Sequence, residues 1–516
     1  MARARAQTRT VSEVPAAVVK DLVRHGRRLM AKGRVGEAIG AFERAHALQP
    51  GDPDVLFGLA QVADRLGEPE KAAGLYGALL SARPDAVEAA NNLGNIQTKL
   101  GEYDAAIATF RAAIERAPET PELWLNLGRA VMATEDFQSA RSFFEHALEL
   151  KPGYGEAHAN LAELACAQGR PEDSLAQYDR AIGLLPRDGQ LRLNHALTLL
   201  TLGELETGWA EYEHRNAPGL ARAITYRHRI RRWTGEGLRG KTLLVCAEQG
   251  LGDQLLFASC LPDVVERAGE VIVECEERLM PLFARSFPET RVHAYDAVKR
   301  DGKWIFNYQW LSGFSSPDFQ IPMGSLPGIL RCSIADFPAR TSYLRADQRA
   351  TARWRARLAE LGPGPKVGLC WRSGLLTPER RKEYLALTDW APILSLGGVH
   401  FVNLQYDDCT AELAEAEAAL GVPIHDFAEL DQKNNLDGAA ALISALDAVV
   451  SAPTTVSNIS GGLGIPTLRL TRERGFTSLG GDGEPFQPAA IPVFPDTPGD
   501  WDAVMGAAVA RLGEIL

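Results

Sequence analysis

The stretch GNIQTKLGEYDAAIATFRAAIERAP, residues 94–118, decides the first part of the fold. It carries a small residue at Gly94, a second at Ala106, an aromatic at Phe110 and a proline at Pro118, and each recurs every 34 residues. The first small position is filled by Gly26, Ala60, Gly94, Gly128 and Ala162, the second by Ala38, Ala72, Ala106, Ala140 and Ser174. The aromatic falls at Phe42, Tyr76, Phe110, Phe144 and Tyr178, and proline at Pro50, Pro84, Pro118, Pro152 and Pro186. Small residues let two antiparallel helices approach closely, and the aromatic fills the space between them. Proline stops the second helix because it has no N–H to continue the ladder. The pattern predicts a stack of helical hairpins, which presents a concave surface to another protein and rarely does chemistry.

These columns resemble the tetratricopeptide repeat, and the array is expected over residues 19–215, with five clear units and a degenerate sixth. The sixth, Gly189 to Arg215, keeps Ala196, Leu202 and Gly203, then departs through Gly208, Trp209, Glu211, Tyr212, Glu213 and Arg215. Terminal repeats are atypical when one face packs on something else, here the domain that follows. Another column, Asn92, Asn126, Asn160 and Asn194, lies in the first helix of successive units. Facing the groove, these amides would form a ladder that binds the backbone of an extended acceptor protein, since each offers a donor and an acceptor. The alternative is that they bridge neighbouring helices.

With 516 residues the chain has room for three or four folding units. A formal net charge of −11 argues against general nucleic-acid binding, which needs clustered Lys and Arg. Cys166, Cys246, Cys260, Cys275, Cys332, Cys370 and Cys409 stand singly, without zinc spacing, as suits a reducing compartment. Met1 to Lys20 is basic without an apolar core, so it does not read as a signal peptide, and no apolar stretch reaches spanning length. A cytoplasmic location is expected.

Residues 216–240, with Arg222, Arg227, Arg229, Arg231, Arg232 and Trp233, read as a linker or docking strap. From Lys241 the period changes. Strands are expected at Leu243–Cys246, Val271–Val273 and Arg291–Ala294, with helices at Gln254–Arg267 and Arg278–Ser286. The alternation restarts with strands at Val367–Cys370, Phe401–Leu404, Ala448–Val450 and Thr467–Leu470. Leu442–Leu446 and Thr454–Gly464 read as helical, and so does the tail from Trp501 to Leu516. Gly362-Pro363-Gly364-Pro365 between the two series reads as a hinge. Two Rossmann-like domains, 241–362 and 363–516, would then face each other across a cleft at the C-terminal ends of their strands.

Three clusters belong to that cleft. Glu248-Gln249-Gly250-Leu251-Gly252-Asp253 follows the first strand; Gly250 and Gly252 would let backbone approach a ligand, and either Asp253 or Glu248 would serve as general base. Trp371-Arg372-Ser373-Gly374 ends a strand; Arg372 would be a fork for phosphate oxygens and Ser373 a hydroxyl donor. Arg380, Arg381 and Lys382 beyond it read as an exposed basic run or as added charge. Pro453-Thr454-Thr455-Val456-Ser457-Asn458, followed by Gly461-Gly462, opens a helix whose N-terminus suits a phosphate.

Together with Gln405 and Tyr406 in Phe401–Tyr406, and with Gly461–Thr467, these clusters resemble bacterial glycosyltransferases of the GT-B fold, in which tetratricopeptide repeats precede a heptosyltransferase-like module. The layout is also similar to that of O-linked N-acetylglucosamine transferases, and flagellin-modifying transferases are the nearest functional analogue. The resemblance implies an α plus α/β chain, a repeat solenoid followed by two Rossmann-like domains. It implies inverting transfer from a nucleotide sugar, a co-substrate, with no metal and no further cofactor. Trp371, Arg372, Ser373, Gln405, Tyr406, Thr454, Thr455, Asn458, Gly461 and Gly462 would then hold the donor. Heptosyltransferase-like proteins often have His where this chain has Asn458. A metal-dependent transferase would want paired aspartates at a strand end, and the Asp-x-Asp of Asp52 and Asp54 lies instead in a repeat turn. Two alternatives stay open: a glycolipid-directed transferase, and a non-catalytic adaptor.

Overall fold

A computed structural model of the chain describes residues 16–220, 223–300, 303–314, 316–374 and 378–516. Arg222 and residues 1–15 of the basic N-terminal stretch lie outside them.

Helices alternate from Ala16–Ala31 to Leu205–Tyr212, twelve in all among the described residues. The 34-residue columns explain their packing. A Cβ on Gly26 would stand 2.7 Å from the Phe42 ring, one on Gly94 2.5 Å from Phe110, and one on Gly128 2.5 Å from Phe144. Those aromatics are fully buried, so the small residue and the ring are one device. Second helices end at Leu48, Ala82, Ile114, Leu150 and Leu184, shortly before the five prolines.

The chain divides into two compact units, Met1–Leu164 and Ala165–Leu516. In that division the helices Pro171–Leu184, Gly189–Thr201 and Leu205–Tyr212 fall in the same compact unit as the α/β region. The reason lies in the degenerate sixth repeat. Trp209 is buried edge-on against Phe257 and Phe486, at ring separations of 6.3 and 6.0 Å, and its indole donates to the Arg331 carbonyl at 3.2 Å. An aromatic sealed in this way makes the last repeat part of the next core.

The α/β region holds thirteen described strands: β1 Ile224–Arg227, β2 Thr242–Cys246, β3 Glu270–Cys275, β4 Thr290–Ala294, β5 Asp296–Arg300, β6 Lys303–Asn307, β7 Phe319–Pro322, β8 Lys366–Cys370, β9 His400–Asn403, β10 Ile424–His425, β11 Ala448–Ser451, β12 Thr467–Leu470 and β13 Ala490–Val493. One sheet has the order β4-β3-β2-β7 and another β10-β9-β8-β11-β12-β13, with every pairing in both parallel. Numbered from β8, the larger sheet runs 3-2-1-4-5-6, a doubly wound order whose switch point lies between β8 and β11.

Residues 216–240 are not a bare linker. β1 pairs with β6 in a third sheet of order β1-β6-β5. Trp233 is buried, and its backbone N–H donates to the Gln320 carbonyl of β7 at 2.9 Å. The Gly362–Pro365 segment is likewise pinned rather than a loose hinge. Lys366 Nζ donates to the carbonyls of Gly362 and Gly364 at 2.5 and 2.6 Å, and a Cβ on Gly364, at φ +108°, would meet the Gly398 carbonyl. The tail helix Trp501–Ile515 buries Val504, Met505, Ala508 and Leu512 among Val367, Val450 and Leu468 of the larger sheet.

Candidate functional site

The loops after β2, β8 and β11 meet at a cavity of about 440 Å³, lined by Gly252, Asp253, Ser373, Arg380, Tyr406, Thr454, Thr455, Ser457, Asn458 and Arg469 among others. Its place at the C-terminal ends of the strands, beside the switch point, is where open α/β sheets bind ligands. Asp253 comes from the first turn of the helix Leu251–Phe257 and is exposed. Gly250 makes room for it, since a Cβ there would stand 2.6 Å from Asp253 Oδ2. On the same cavity, the helix Thr455–Leu463 has Thr454 at its N-cap, held through its backbone by the Ser457 side chain. The Thr454 N–H donates to Ser457 Oγ at 3.1 Å, and the Thr454 hydroxyl lies 3.3 Å from Ser451 Oγ and 3.5 Å from Cys370 Sγ. The cap thus spends the Thr454 hydroxyl on the protein, while the partial positive end of the helix stays at the cavity wall.

Asn458 ties the two sides together. Its Nδ2 donates to the Gly252 carbonyl at 3.3 Å, and its Oδ1 accepts from Arg469 at 3.1 Å. A Cβ on Gly252 would approach Asn458 Nδ2 to 3.0 Å, so this glycine permits the contact between the helices. Tyr406 lies against the cavity, its hydroxyl accepting from the Gly374 N–H at 3.1 Å, and burial raises its phenol above the ordinary range.

Six sequence candidates do other work. Glu248 is buried against Arg215 at 2.7 Å and accepts from the Gly324 N–H at 2.8 Å; an ion-paired carboxylate held this way is a tie, not a base. Arg372 turns from the cavity, its guanidinium forked on Glu412 and bonded to the Asp408 carbonyl at 3.1 Å, which commits the fork that phosphate would need. Trp371 is buried and donates to the same Glu412 at 3.0 Å. Gly461 and Gly462 are packing positions. A Cβ on Gly461 would reach 3.0 Å from Gln487 Oε1, and one on Gly462 would reach 2.6 Å from Leu344 Cδ1, while the Gly462 carbonyl accepts from the N–H groups of Tyr343 and Leu344. Gln405 is buried, and its Oε1 accepts from the Arg372 N–H at 3.3 Å, shaping the loop from behind.

Among the groove amides, Asn92 donates to the Tyr76 hydroxyl at 3.1 Å, Asn126 to Asn91 at 2.8 Å and Asn160 to the Glu156 carbonyl at 2.8 Å; Asn194 accepts from Gln190 at 2.7 Å. Asn92 and Asn126 thus bridge neighbouring helices, whereas Asn160 and Asn194 bond within their own. Groups of three or more His, Cys, Asp or Glu arranged for a metal are absent among the described residues, and none of their helices is long and apolar enough to cross a membrane.

Residues 23–155, in three overlapping windows, and 131–193 match tetratricopeptide repeat families. The N-terminal region carries tetratricopeptide repeats. Over 303 residues, 58% of this chain, the sequence is 37% identical to Protein FlbA of Caulobacter vibrioides, and the match spans about half, 51%, of that protein's length. Solved structures with similarity include a thermophilic TPR protein of Thermus thermophilus, 28% identical, covering 35% of this chain and 99% of that one with a TM-score of 0.32. Another is a tetratricopeptide repeat protein of Parabacteroides merdae, 21% identical, covering 38% and 78% of the two chains with a TM-score of 0.35.

Sequence pattern does not single out Arg469, Thr471, Ser478 and Glu484, all on the cavity wall. One signal was available. Arg469 sits inside the run Thr467–Leu470, whose four residues are all buried, and an arginine in a buried parallel strand needs a partner.

Proposed function

We propose that this chain is a GT-B glycosyltransferase. It moves a sugar from a nucleotide-sugar donor to serine or threonine hydroxyls of a protein recruited by its repeats, with inversion and without a metal. Flagellin is the acceptor that the resemblance nominates, and the cytoplasm is the compartment. The observation that carries the reading is the cavity at the β8/β11 switch point, whose lining includes both Asp253 and the helix N-terminus at Thr454–Thr455. Repeats alone would need no cavity that joins a base to an anion seat.

In the reaction Asp253 takes the proton from the acceptor hydroxyl, and the oxygen forms its bond to the anomeric carbon. The bond from that carbon to the phosphate oxygen breaks, and the electron pair leaves with the nucleotide. The helix N-terminus and Arg380, which donates to Ser373 Oγ at 3.3 Å on the cavity wall, offset the growing negative charge. Arg380 takes the place first given to Arg372.

Calorimetric titration with uridine, guanosine, cytidine and adenosine diphosphates tests the reading, followed by intact-mass measurement of flagellin incubated with the enzyme and nucleotide sugars. One nucleotide should bind, and the acceptor should gain whole sugar masses. Binding of none of them would favour the adaptor; binding with transfer only to lipid would favour the glycolipid enzyme.

A further inference from the structure

The cavity wall is unevenly satisfied. Thr454, Ser457 and Asn458 have hydrogen-bond partners within the protein, whereas one side-chain atom on each of four other wall residues has none. Arg469 Nε, Thr471 Oγ1, Ser478 Oγ and Glu484 Oε2 are buried atoms with no hydrogen-bond partner among the described residues. All four residues line this cavity. The side chains of Arg469 and Glu484 are 5% and 2% exposed, and Ser478 is 1% exposed, so bulk water does not reach them freely. A buried polar atom left without a partner is costly, and four along one wall form a pattern that a ligand explains.

The remaining bonds hold these groups in fixed positions. Arg469 pairs with Glu484 at 3.2 Å and donates to Gln487 at 2.7 Å and Asn458 at 3.1 Å. Glu484 Oε1 also accepts from Thr477 at 2.9 Å. What is left over is one fixed donor, one fixed acceptor and two hydroxyls able to act as either. The Arg469–Glu484 pair is neutral overall. A phosphate would face the Glu484 carboxylate and a cation the Arg469 guanidinium, so a neutral group with several hydroxyls fits best.

Position points the same way. A second cavity of about 580 Å³, lined by Cys166, Thr198 and Thr201 of the last repeats and by Phe494, shares Gly475 and Phe476 with this one. The cavity that these four residues line thus adjoins, at Gly475 and Phe476, one lined by the last repeats. Resting on the transferase reading above, we infer that Arg469, Thr471, Ser478 and Glu484 form the subsite for the glycosyl group of the donor, and that they read its hydroxyls.

The test compares each nucleotide sugar with its own nucleoside diphosphate, using calorimetry on the full chain. UDP-N-acetylglucosamine, UDP-glucose, GDP-mannose and ADP-heptose form the panel. In the wild type one nucleotide sugar should bind more tightly than its diphosphate. Ser478→Ala and Thr471→Val should each cut that advantage by about two- to twelvefold, the range for one lost hydrogen bond, and leave diphosphate affinity unchanged. Neither change should lower the melting temperature of the ligand-free protein, since each removes a hydroxyl with no hydrogen-bond partner among the described residues. If both affinities fall together, the wall holds the nucleotide and the inference fails. It fails as well if the advantage is unaffected, or if a variant unfolds and Glu484→Gln leaves the advantage intact. If the wild type binds no nucleotide, the transferase reading falls and this one with it.

Discussion

Arg215→Met should destabilise the second unit more than any single change in the candidate cavity. Arg215 and Glu248 bury their side chains to 9% and 8% exposure at a 2.7 Å contact, and the guanidinium adds Ser325 Oγ at 2.9 Å. Removing the cation takes away the charge that balances the Glu248 carboxylate and leaves it the neutral Gly324 N–H. Breaking a buried pair from one side costs about 3–5 kcal/mol. At roughly 2 °C per kcal/mol for a large unit, the calorimetric transition should fall by about 6–10 °C. Glu248→Gln should cost less, because Glu213 still stands 3.5 Å from Arg215. The double variant Arg215→Met/Glu248→Leu should recover most of the loss, since a buried pair is seldom better than well-packed apolar groups. Scanning calorimetry of these proteins together with Glu248→Leu, which closes the cycle, measures the coupling. A drop below about 2 °C for Arg215→Met, or a double variant no better than it, would refute the argument that these charges depend on each other.

Asp253→Asn should lower transfer by roughly 10²–10⁴-fold with nucleotide affinity near normal, measured by acceptor mass against time. Arg380→Ala should weaken diphosphate binding by about 1.5–3 kcal/mol in calorimetry, while Arg372→Ala should act mainly on stability, because its fork is already held by Glu412. Replacing Asn92, Asn126 and Asn160 by Ala should cost about 0.5–1.5 kcal/mol of stability per amide, read from denaturation. Glu274, inside the smaller sheet, accepts from the Ala247 N–H at 3.1 Å and from the Tyr308 hydroxyl at 2.9 Å; burial nevertheless pushes its carboxyl up to about 7. The folded state then holds a proton that the unfolded chain loses near its ordinary carboxyl range. Stability should therefore decline as pH rises from about 4.5 to 7, and Glu274→Gln should remove up to about 3 kcal/mol of that decline in urea denaturation.

What the sequence disclosed follows from the range of the interactions. The repeat columns are local, and Gly94 and Phe110 meet within one hairpin, so 34-residue spacing reveals both. β8, β9, β11 and β12 are buried on both faces and read as apolar runs. β5 escaped notice because four of its five residues are exposed, and β7 and β13 because each carries a proline. The site was legible in its loops but not in its partners. Arg372 is answered by Glu412, 40 residues on, and Glu248 by Arg215, 33 residues back, distances at which sequence pattern carries no pairing signal. Charge near a strand end marks a place in the fold, while the role depends on what the chain later brings to it.

Trp209 and the three helices from Pro171 to Tyr212 have a consequence for anyone who would rebuild this protein. A free-standing solenoid closes itself with a repeat whose outer face is polar. Here the α/β region is that lid, so scissors placed at residue 215 would strip indole, phenol and a buried cation from their sockets on both fragments. The division into compact units falls earlier, at Leu164, inside the helix Gly155–Ala167. Upstream of it, successive 34-residue units share one packing device, a small residue against a buried ring, and so stack in a common register.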